Sequence, residues 1–366
     1  MISMDFCPYL RDGVDVYVND IDKTVVFVFL STRQRIQLNV EKFLVLLLPK
    51  MDGKNTVSSL ISLIENNEKQ QVVNFISYLL EKGIVTDINW FNALPFDASY
   101  KKKLEKQLFF LMDMTSSKDE VLRVQQKIKN STIAICGVGA VGSWLFVELL
   151  QMGFERIKIL DFDIVQDSDI SRHAFFSKEE CNLPKVGAYK RLGLKIEPNA
   201  KIEECECAIS METDVGKYFS DVDIIFNCAD EPYIGYTSIY LSRYCVENNK
   251  IMFVSGGFDA HLACLGELIV PYITPCSDCY NSHFKRVLKN WKPIKHTVTN
   301  REKGIGGLVS LNVFSASSAA LSLLKFFVDP ASIQKGSGRG EFKFDDYSID
   351  YFNVARNENC EVCRDK

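Results

Sequence analysis

A glycine-rich turn between an apolar stretch and a helical stretch is the feature that most constrains the fold. Ile133 to Cys136 is an apolar run of strand length, Gly137-Val-Gly139-Ala-Val-Gly142 follows it, and helical periodicity continues from Ser143 to Met152. Glycine in such a turn lets the backbone approach phosphate groups, and the start of the next helix presents unpaired N–H groups with a partial positive charge. The segment therefore predicts a strand, a nucleotide-binding turn and a helix.

Apolar runs and helical stretches alternate beyond this turn. Ile157 to Leu160 and Ile224 to Cys228 are of strand length, and a helical stretch from Lys185 to Ile196 lies between them. Alternating strands and helices favour a parallel sheet that is covered on both faces. We therefore expect residues 132–366 to form an α/β domain with a doubly wound, mainly parallel, Rossmann-like sheet.

The size and charge of the chain limit its class. Its 366 residues exceed a typical single domain, and 47% hydrophobic with 25% charged residues is ordinary for a globular protein with a full core. The formal net charge of −4 gives no general reason to expect nucleic acid or an anionic membrane as a partner. No basic segment leads into an apolar stretch at the N-terminus, and 12 cysteines are scattered along the chain, so we expect a cytoplasmic protein with reduced thiols.

Residues 1–95 predict a separate winged-helix module. Apolar residues alternate from Val14 to Val18, and a second apolar stretch from Val25 to Leu30 follows a polar turn, which is typical of a β-hairpin. A third extended segment and three helical segments come next. The helices lack the surplus of Lys and Arg that DNA phosphates require, so a peptide laid along the hairpin edge as an extra strand fits better. Residues 96–131 are polar and charged and predict a linker and a helix.

Acidic residues follow the expected strands at the edge where α/β sheets bind ligands. Asp161 and Asp163 come directly after the second strand of the domain, where a carboxylate usually accepts hydrogen bonds from ribose hydroxyls. Asp230 follows the strand that ends at Cys228, and a carboxylate there can hold magnesium. Up to this point a nicotinamide-dependent dehydrogenase fits as well as an enzyme that uses ATP.

Two basic residues distinguish between the two hypotheses, a dehydrogenase and an enzyme that uses ATP. Arg172 and Lys185 lie in the segment after Asp163 and are expected near the phosphates. A nicotinamide pyrophosphate needs little beyond the backbone turn, whereas cleavage of a triphosphate between its α and β groups needs cations on the leaving pyrophosphate and a magnesium ligand. The pattern favours the triphosphate and makes Arg172, Lys185 and Asp230 the candidate catalytic residues. An exposed salt bridge is the competing interpretation of the two cations.

Two Cys-x-x-Cys pairs stand in the last quarter of the chain, Cys276/Cys279 and Cys360/Cys363. Four thiolates in two such pairs form a closed tetrahedral zinc site, which is structural because no coordination position remains for water. Redox chemistry is the competing interpretation, although neither pair begins a helix after a thioredoxin-like strand.

In combination these motifs resemble the E1-like adenylating enzymes, the family of ubiquitin-activating, molybdopterin-synthase-activating and thiamine-pathway ThiF proteins. The shared pattern is the glycine turn, D-x-D-x-V-x-x-S-x-x-x-R ending at Arg172, a Pro-Lys pair ending at Lys185, a strand ending in Ala-Asp, and the two cysteine pairs. It covers residues from about 100 to 366. Ala-Asp-Glu-Pro-Tyr at 229–233 and the winged helix are most similar to family members that modify ribosomal precursor peptides, of the pantocin A and microcin C7 types.

The resemblance implies an ATP-dependent adenylation and assigns roles to matching residues. ATP would lie against Gly137, Gly139 and Gly142, its phosphates would contact the two cations, and magnesium would bind the aspartate already named. Bacterial members of the family are homodimers in which a basic residue ahead of the first strand is donated to the partner subunit. That residue is usually arginine, and here Lys106 or Lys103 stands in its place.

This chain departs from the family pattern at two further positions. Ala140 replaces the middle glycine of the usual turn, which is a small change. Asp169 replaces an asparagine, so a carboxylate stands where the family has a neutral amide.

The substrate is indicated by a basic run from Phe284 to His296 in an otherwise acidic protein. Such a run is either a solvated loop or a surface that attracts an acidic peptide. The second interpretation slightly favours adenylation of a Glu side chain followed by ring closure, the pantocin type, over adenylation of a C-terminal Asn, the microcin type. Cys264 lies in an apolar segment suited to a buried strand, so we expect another group of the substrate, not a thiol, to attack the acyl adenylate. The same motifs would also suit an enzyme that activates a sulfur-carrier protein, or a non-catalytic peptide carrier with a degenerate E1 fold.

Overall fold

The described residues divide into two units, which we call unit 1 and unit 2. The structure is a computed structural model that describes residues 2–19, 24–115, 117–255, 262–287, 306–335 and 339–364. Unit 1 is Met1–Gln125 and unit 2 is Gln126–Lys366. The boundary falls inside a helix that spans Lys118–Asn130, within the segment predicted as a linker and a helix.

Unit 1 combines short strands with short helices. Its described strands are β1 (Pro8–Leu10), β2 (Val14–Asn19), β3 (Thr24–Phe29), β4 (Arg35–Asn39) and β5 (Val85–Asp87). Its described helices are α1 (Lys42–Leu47), α2 (Val57–Ser62), α3 (Lys69–Glu81), α4 (Ala98–Lys103) and α5 (Glu105–Thr115), and α6 (Lys118–Asn130) crosses the boundary.

The predicted hairpin and the three helices after it are confirmed. Strands β2, β3 and β4 form an antiparallel sheet in that order, with Val16 opposite Phe27 and Phe27 opposite Ile36. Val25 and Phe27 point from β3 into a core that α1, α2 and α3 complete with residues such as Leu60. Val25 to Phe29 is a continuous apolar run in the sequence, and such a run of β-branched and aromatic residues predicts a strand. Residues 20–23 of the predicted turn lie outside the described residues.

Four elements of unit 1 have no counterpart in the sequence prediction. Strand β1 pairs antiparallel with β5, and each is only three residues long, which is too short for a period of two to be recognised. Helix α4 begins after Asp97, whose side chain accepts a hydrogen bond from the Tyr100 N–H at 2.8 Å. Helix α5 buries Leu108 and Leu111. Residues 98–115 of the predicted linker are therefore largely helical.

Unit 2 is built on one sheet with helices between its strands. Its described strands are β6 (Thr132–Cys136), β7 (Arg156–Leu160), β8 (Lys201–Cys205), β9 (Ile224–Asn227), β10 (Ile251–Val254), β11 (Leu262–Ile269), β12 (Arg339–Lys343) and β13 (Ile349–Phe352). Its described helices are α7 (Ala140–Gln151), α8 (Lys185–Ile196), α9 (Val215–Phe219), α10 (Ile234–Glu247), α11 (Ser277–Val287) and α12 (Val309–Val328).

The strand order of this sheet is β13-β12-β11-β10-β9-β6-β7-β8. The strands from β10 to β8 run parallel, and β11, β12 and β13 add antiparallel strands at one side. This arrangement confirms the predicted α/β class with a mainly parallel, doubly wound sheet. The chain extends from β6 to β7 and β8 on one side and returns to β9 and β10 on the other. Such a reversal opens a crevice at the carboxyl ends of the strands, here between the loops that follow β6 and β9.

Helix α12 is the longest of the described helices. It spans 20 residues with a mean hydropathy of 1.5 over its most apolar window, which is long and apolar enough to cross a membrane. However, 56% of that window is buried inside the protein, where α12 packs against α7 and β11. Burial of this kind is equally typical of the core helix of a globular domain.

Candidate nucleotide-binding site

Each glycine of the turn after β6 meets a different spatial demand. Gly137 has a φ of +84°, and a Cβ there would lie 2.9 Å from the backbone of Ala229 in the loop after β9. At Gly142, in the first turn of α7, a Cβ would lie 2.0 Å from the carbonyl oxygen of Gly137. Gly139 is the N-cap of α7, and apart from Gly139 and its chain neighbours no heavy atom of the described residues lies within 4 Å of its Cβ position. Gly137 and Gly142 thus permit close backbone packing, whereas Gly139 leaves the start of α7 open.

Asp161 connects this turn to the loop after β7. The Val138 N–H donates to one carboxylate oxygen at 2.8 Å, and the Asp163 N–H donates to the other at 2.9 Å. Burial raises the pKa of Asp161, although these two hydrogen bonds and the Lys185 charge oppose the rise. Of the two aspartates predicted to hold ribose, Asp161 thus already has a protein donor on each oxygen, while the Asp163 side chain is 47% exposed.

Three basic side chains converge on the buried carboxylate of Asp169. Its Oδ1 lies 3.2 Å from Arg172 Nη2 and 3.4 Å from His173 Nε2. Its Oδ2 lies 3.6 Å from Lys185 Nζ and accepts a hydrogen bond from the Gln166 N–H at 3.0 Å. Burial alone would raise the pKa of Asp169, but the Gln166 hydrogen bond and the basic groups outweigh it and hold the pKa below its ordinary value.

The two predicted cations differ in their freedom. Lys185 is the first residue of α8, only 7% of its side chain is exposed, and its Nζ lies 2.9 Å from Asp163 Oδ2 as well as close to Asp169. The Arg172 side chain is 45% exposed, and its described ion pair is the one with Asp169. Lys185 is therefore held between two carboxylates, whereas Arg172 can swing from its single partner.

His173 was not identified from the sequence. It is buried, its ring packs against Phe176 at a centroid distance of 5.6 Å, and neither ring nitrogen has a hydrogen-bond partner among the described residues. The 3.4 Å separation from Asp169 is therefore an ion-pair distance without hydrogen-bond geometry. Burial lowers the pKa of His173 to about 4, against the opposing effect of Asp169, so the ring is neutral at pH 7.

Asp230 is held in place through a buried asparagine. The Asn227 amide nitrogen donates to the hydroxyls of Thr237 at 2.9 Å and Ser238 at 3.0 Å, on α10, and its oxygen accepts from the Ala229 N–H at 3.2 Å. Thr237 also donates to the Ala229 carbonyl at 2.7 Å. These bonds fix the backbone of the loop after β9 and leave the Asp230 side chain exposed.

A cavity of about 1090 Å³ at this edge of the sheet brings most of the predicted site together. Its wall includes these predicted residues: Gly137, Gly139, Asp161, Asp163, Arg172, Lys185 and Asp230. Gly142 lies behind the turn and does not line the cavity. The wall also contains these residues that sequence reasoning missed: Phe162, Ser168, His173, Cys207, Ser210, Gly306 and Gly307. Gly306 and Gly307 could have been noticed in the sequence because they form a glycine pair just before the start of α12.

Lys106 belongs to unit 1. It is exposed on α5 and lines a smaller cavity of about 320 Å³ within that unit. The same cavity is lined by Arg11 and Asp113, which form an ion pair with each other.

The four cysteines of the two predicted pairs meet in the core of unit 2. Cys276 Sγ lies 3.8 Å from Cys279 Sγ and 3.6 Å from Cys360 Sγ, and Cys279 Sγ lies 3.5 Å from Cys363 Sγ. All four sulfur atoms lie within 4.8 Å of one another. A tetrahedral zinc ion with Zn–S bonds of about 2.3 Å sets its sulfur atoms about 3.8 Å apart, whereas a disulfide requires about 2.05 Å. The set therefore fits a tetrahedral zinc ion that joins the end of the chain to the start of α11.

These features define a class of protein. A glycine turn at the start of a helix, two cations and several carboxylates surround a cavity at the switch point of a doubly wound sheet, which is the arrangement of a nucleotide-binding α/β domain. The chain belongs to the ThiF family, whose model matches residues 111–362. The predicted resemblance to E1-like proteins is thereby confirmed.

Named relatives and solved structures agree with this assignment. The chain is 26% identical over 177 residues to ubiquitin-like modifier-activating enzyme 5 of Drosophila virilis, covering 45% of this chain and 43% of that protein. It is 25% identical over 246 residues to adenylyltransferase and sulfurtransferase MOCS3 of Drosophila grimshawi, covering 66% of this chain and 51% of that protein. The chain thus spans about half the length of these curated relatives.

Two solved structures resemble nearly the whole chain. E. coli MccB, crystallised with ATP, has a TM-score of 0.72 at 19% identity and covers 98% of this chain and 99% of its own. PaaA has a TM-score of 0.73 at 16% identity and covers 95% of this chain and 100% of its own. At these identities the likeness establishes the fold, including its N-terminal part.

Proposed function

We propose that this protein uses ATP to adenylate a carboxylate of a ribosomally made precursor peptide in the cytoplasm. The carboxylate oxygen attacks the α-phosphorus of ATP, the bond between the α and β phosphates breaks, and pyrophosphate leaves. The observation that carries the proposal is the convergence of the start of α7, Arg172, Lys185 and Asp230 on one cavity. The family relatives include named adenylyltransferases and activating enzymes.

The geometry supports a role for each group. Open N–H groups at the start of α7, beside Gly139, suit phosphate oxygens. Arg172 and Lys185 line the same cavity and would stabilise charge on the departing pyrophosphate. Asp230 is exposed on a rigid loop and suits a magnesium ion, which would screen the phosphates and orient the α-phosphorus. We further propose that Lys106 is donated to the site of the partner subunit in a homodimer.

Zinc is proposed as a structural ion in the four-cysteine set. Four sulfur donors complete a tetrahedral shell, so such an ion would stabilise the fold without contacting the reaction.

Unit 1 is proposed to hold the leader of the precursor peptide. The sheet order leaves β2 at an edge, where Tyr17 is 58% exposed and Val18 is 46% exposed. An extended peptide can add to such an edge by main-chain hydrogen bonds, with side chains giving selectivity. An uncovered edge strand tends to pair nonspecifically with other chains. An edge with exposed apolar side chains is therefore better explained by a specific partner that covers it.

Which carboxylate of the peptide is adenylated is a separate question. A Glu side chain, followed by ring closure of the pantocin type, remains slightly preferred because of the basic run, of which residues 288–296 lie outside the described residues. Adenylation of a C-terminal residue, the microcin C7 type, is favoured by a different observation: MccB structures that cover 98% of this chain were solved with the peptide MccA. Activation of a sulfur-carrier protein is the third candidate.

Exchange of labelled pyrophosphate into ATP tests the proposal. With a synthetic peptide that contains a Glu-Glu pair, or with one that ends in Asn, exchange should depend on peptide and magnesium. Asp230→Asn should reduce exchange by about a hundredfold, while Glu212→Gln, an exposed acid outside the cavity wall, should leave it unchanged. Exchange with neither peptide, in a protein that binds ATP, would favour the non-catalytic carrier, and thermal protection by NAD but not by ATP would favour a dehydrogenase.

A further inference from the structure

Asp169 places a negative charge beside the two cations of the proposed phosphate site. Its carboxylate is only 3% exposed, and it contacts Arg172 and Lys185, the two cations of the cavity wall. A buried carboxylate is tolerated when it is paired and hydrogen-bonded, and Asp169 meets both conditions. It therefore pairs with the same cations that a phosphate group would need.

We propose that Asp169 is a positioning residue that stands in for phosphate: it holds Arg172 and Lys185 before the triphosphate binds and gives up Arg172 when it does. This inference rests on the proposed use of ATP. Its consequence is that the cations are preorganised for the reaction, while the triphosphate must compete with an internal anion for one of them.

The geometry decides which cation leaves. Arg172 is 45% exposed and makes one described ion pair, so its long side chain can turn towards a ligand. Lys185 is 7% exposed and lies between Asp163 and Asp169, so it stays where it is. A ligand that binds near Lys185 therefore draws Arg172 away from Asp169.

His173 is placed to compensate for that loss. Its Nε2 lies 3.4 Å from the same Oδ1 that contacts Arg172, and neither ring nitrogen has a hydrogen-bond partner among the described residues. When Arg172 leaves, a small rotation of the ring lets His173 donate a hydrogen bond to Asp169. The carboxylate then keeps Lys185, the Gln166 N–H and the imidazole as partners, and no uncompensated buried charge remains.

Direct binding of ATP and of adenosine, measured by calorimetry with magnesium present, tests the inference. Asp169→Asn removes the competing charge at constant shape, so ATP should bind on the order of tenfold more tightly, while adenosine, which has no phosphates, should bind as before. Because the cations lose their orienting anion, kcat for pyrophosphate exchange should fall severalfold. Asp167→Asn is the matched control: it removes the same charge from an exposed position in the same turn and should change neither affinity by more than about twofold.

Two further variants keep the inference testable if Asp169→Asn unfolds. His173→Gln retains a donor for Asp169 and should preserve ATP affinity, whereas His173→Leu should weaken ATP binding about tenfold without affecting adenosine. Equal ATP affinity in wild type and Asp169→Asn, or equal effects of the two His173 variants, would overturn the inference while leaving the proposed function intact. A wild-type protein that binds adenosine no less tightly than ATP would overturn both.

Discussion

Two substitutions in the glycine turn are expected to affect protein stability and nucleotide binding to different extents. Gly142→Ala places a methyl group 2.0 Å from the Gly137 carbonyl oxygen, and real Cβ contacts are essentially never below 3.0 Å, so the turn and α7 must move apart by at least 1.0 Å. The obstructing atom is backbone and cannot rotate away. Overpacking of this kind costs about 1–3 kcal/mol, and a backbone obstacle places the cost near 3 kcal/mol.

An opposing term reduces this cost. Alanine in a helix is favoured over glycine by about 1 kcal/mol, and Gly142 lies in the first turn of α7. The net loss of unfolding free energy is therefore about 2 kcal/mol, which corresponds to a lowering of Tm by about 4–8 °C for a domain of this size. Since the shift moves the start of α7, ATP affinity should fall as well.

Gly139→Ala is the matched control. Apart from Gly139 and its chain neighbours, no heavy atom of the described residues lies within 4 Å of its Cβ position, and its φ of −72° suits any residue. The loss of a glycine N-cap costs a few tenths of a kcal/mol up to about 1 kcal/mol, so Tm should change by less than about 4 °C. The added methyl group lies where the backbone is proposed to approach the phosphates, and ATP should bind on the order of tenfold more weakly.

Calorimetric unfolding and ATP titration of the two variants decide the matter. The reasoning requires Gly142→Ala to lose stability clearly more than Gly139→Ala. A Gly142→Ala protein as stable as wild type would show that the close approach of α7 to the turn is wrong. A Gly139→Ala protein with unchanged ATP affinity would refute the proposed phosphate position.

Three further predictions concern other parts of unit 2. Elemental analysis should find about one zinc per chain. Chelation should lower the Tm of the wild type, and Cys360→Ser should have a lower Tm than the wild type. A wild-type Tm that does not respond to chelation would contradict a structural ion. Burial lowers the pKa of His173 in the folded state to about 4, from an unfolded value near 6.5. Its contribution to stability is therefore complete above pH 6.5, and the free energy of unfolding falls by about 1.4 kcal/mol per pH unit from there towards pH 4. Urea unfolding at pH 7, 6 and 5 should show this fall, and His173→Gln should make it smaller. Asn227→Ala leaves the Ala229 N–H without its hydrogen-bond partner, so it should lower the free energy of unfolding in urea by about 2 kcal/mol. It should also lower the rate of pyrophosphate exchange. An unaltered rate would show that the position of Asp230 does not depend on Asn227.

The parallel part of the fold could be predicted because its strands are buried on both faces. Such strands appear as short apolar runs, so β6, β7 and β9 were placed to within a residue or two, and α8 matches its predicted bounds. The antiparallel strands β12 and β13 could not be predicted in the same way. Their residues are mostly half-buried or exposed, as in Arg339–Lys343, so no apolar run marks them.

Most residues of the candidate site could be predicted from the sequence, but the contacts between them could not. Residue types and spacing placed Gly137, Gly139 and Asp163 at one edge of the sheet, where the structure has them. The sequence could not show that the carboxylate of Asp161 is used by two backbone N–H groups, because that depends on which amides face it. It also could not show the role of Asp169, which comes from its burial among cations.

The charges of the cavity wall lead to one more consequence. Among the described lining residues, the cations Arg172 and Lys185 face four carboxylates, those of Asp161, Asp163, Asp230 and Glu231. The wall therefore carries an excess of two negative formal charges and would repel a free triphosphate. A magnesium ion on the phosphates reverses this balance, and a lysine from a partner subunit would add to it. ATP without a divalent ion should accordingly bind on the order of a hundredfold more weakly than with magnesium, and comparable affinity under the two conditions would mean that these carboxylates do not face the phosphates.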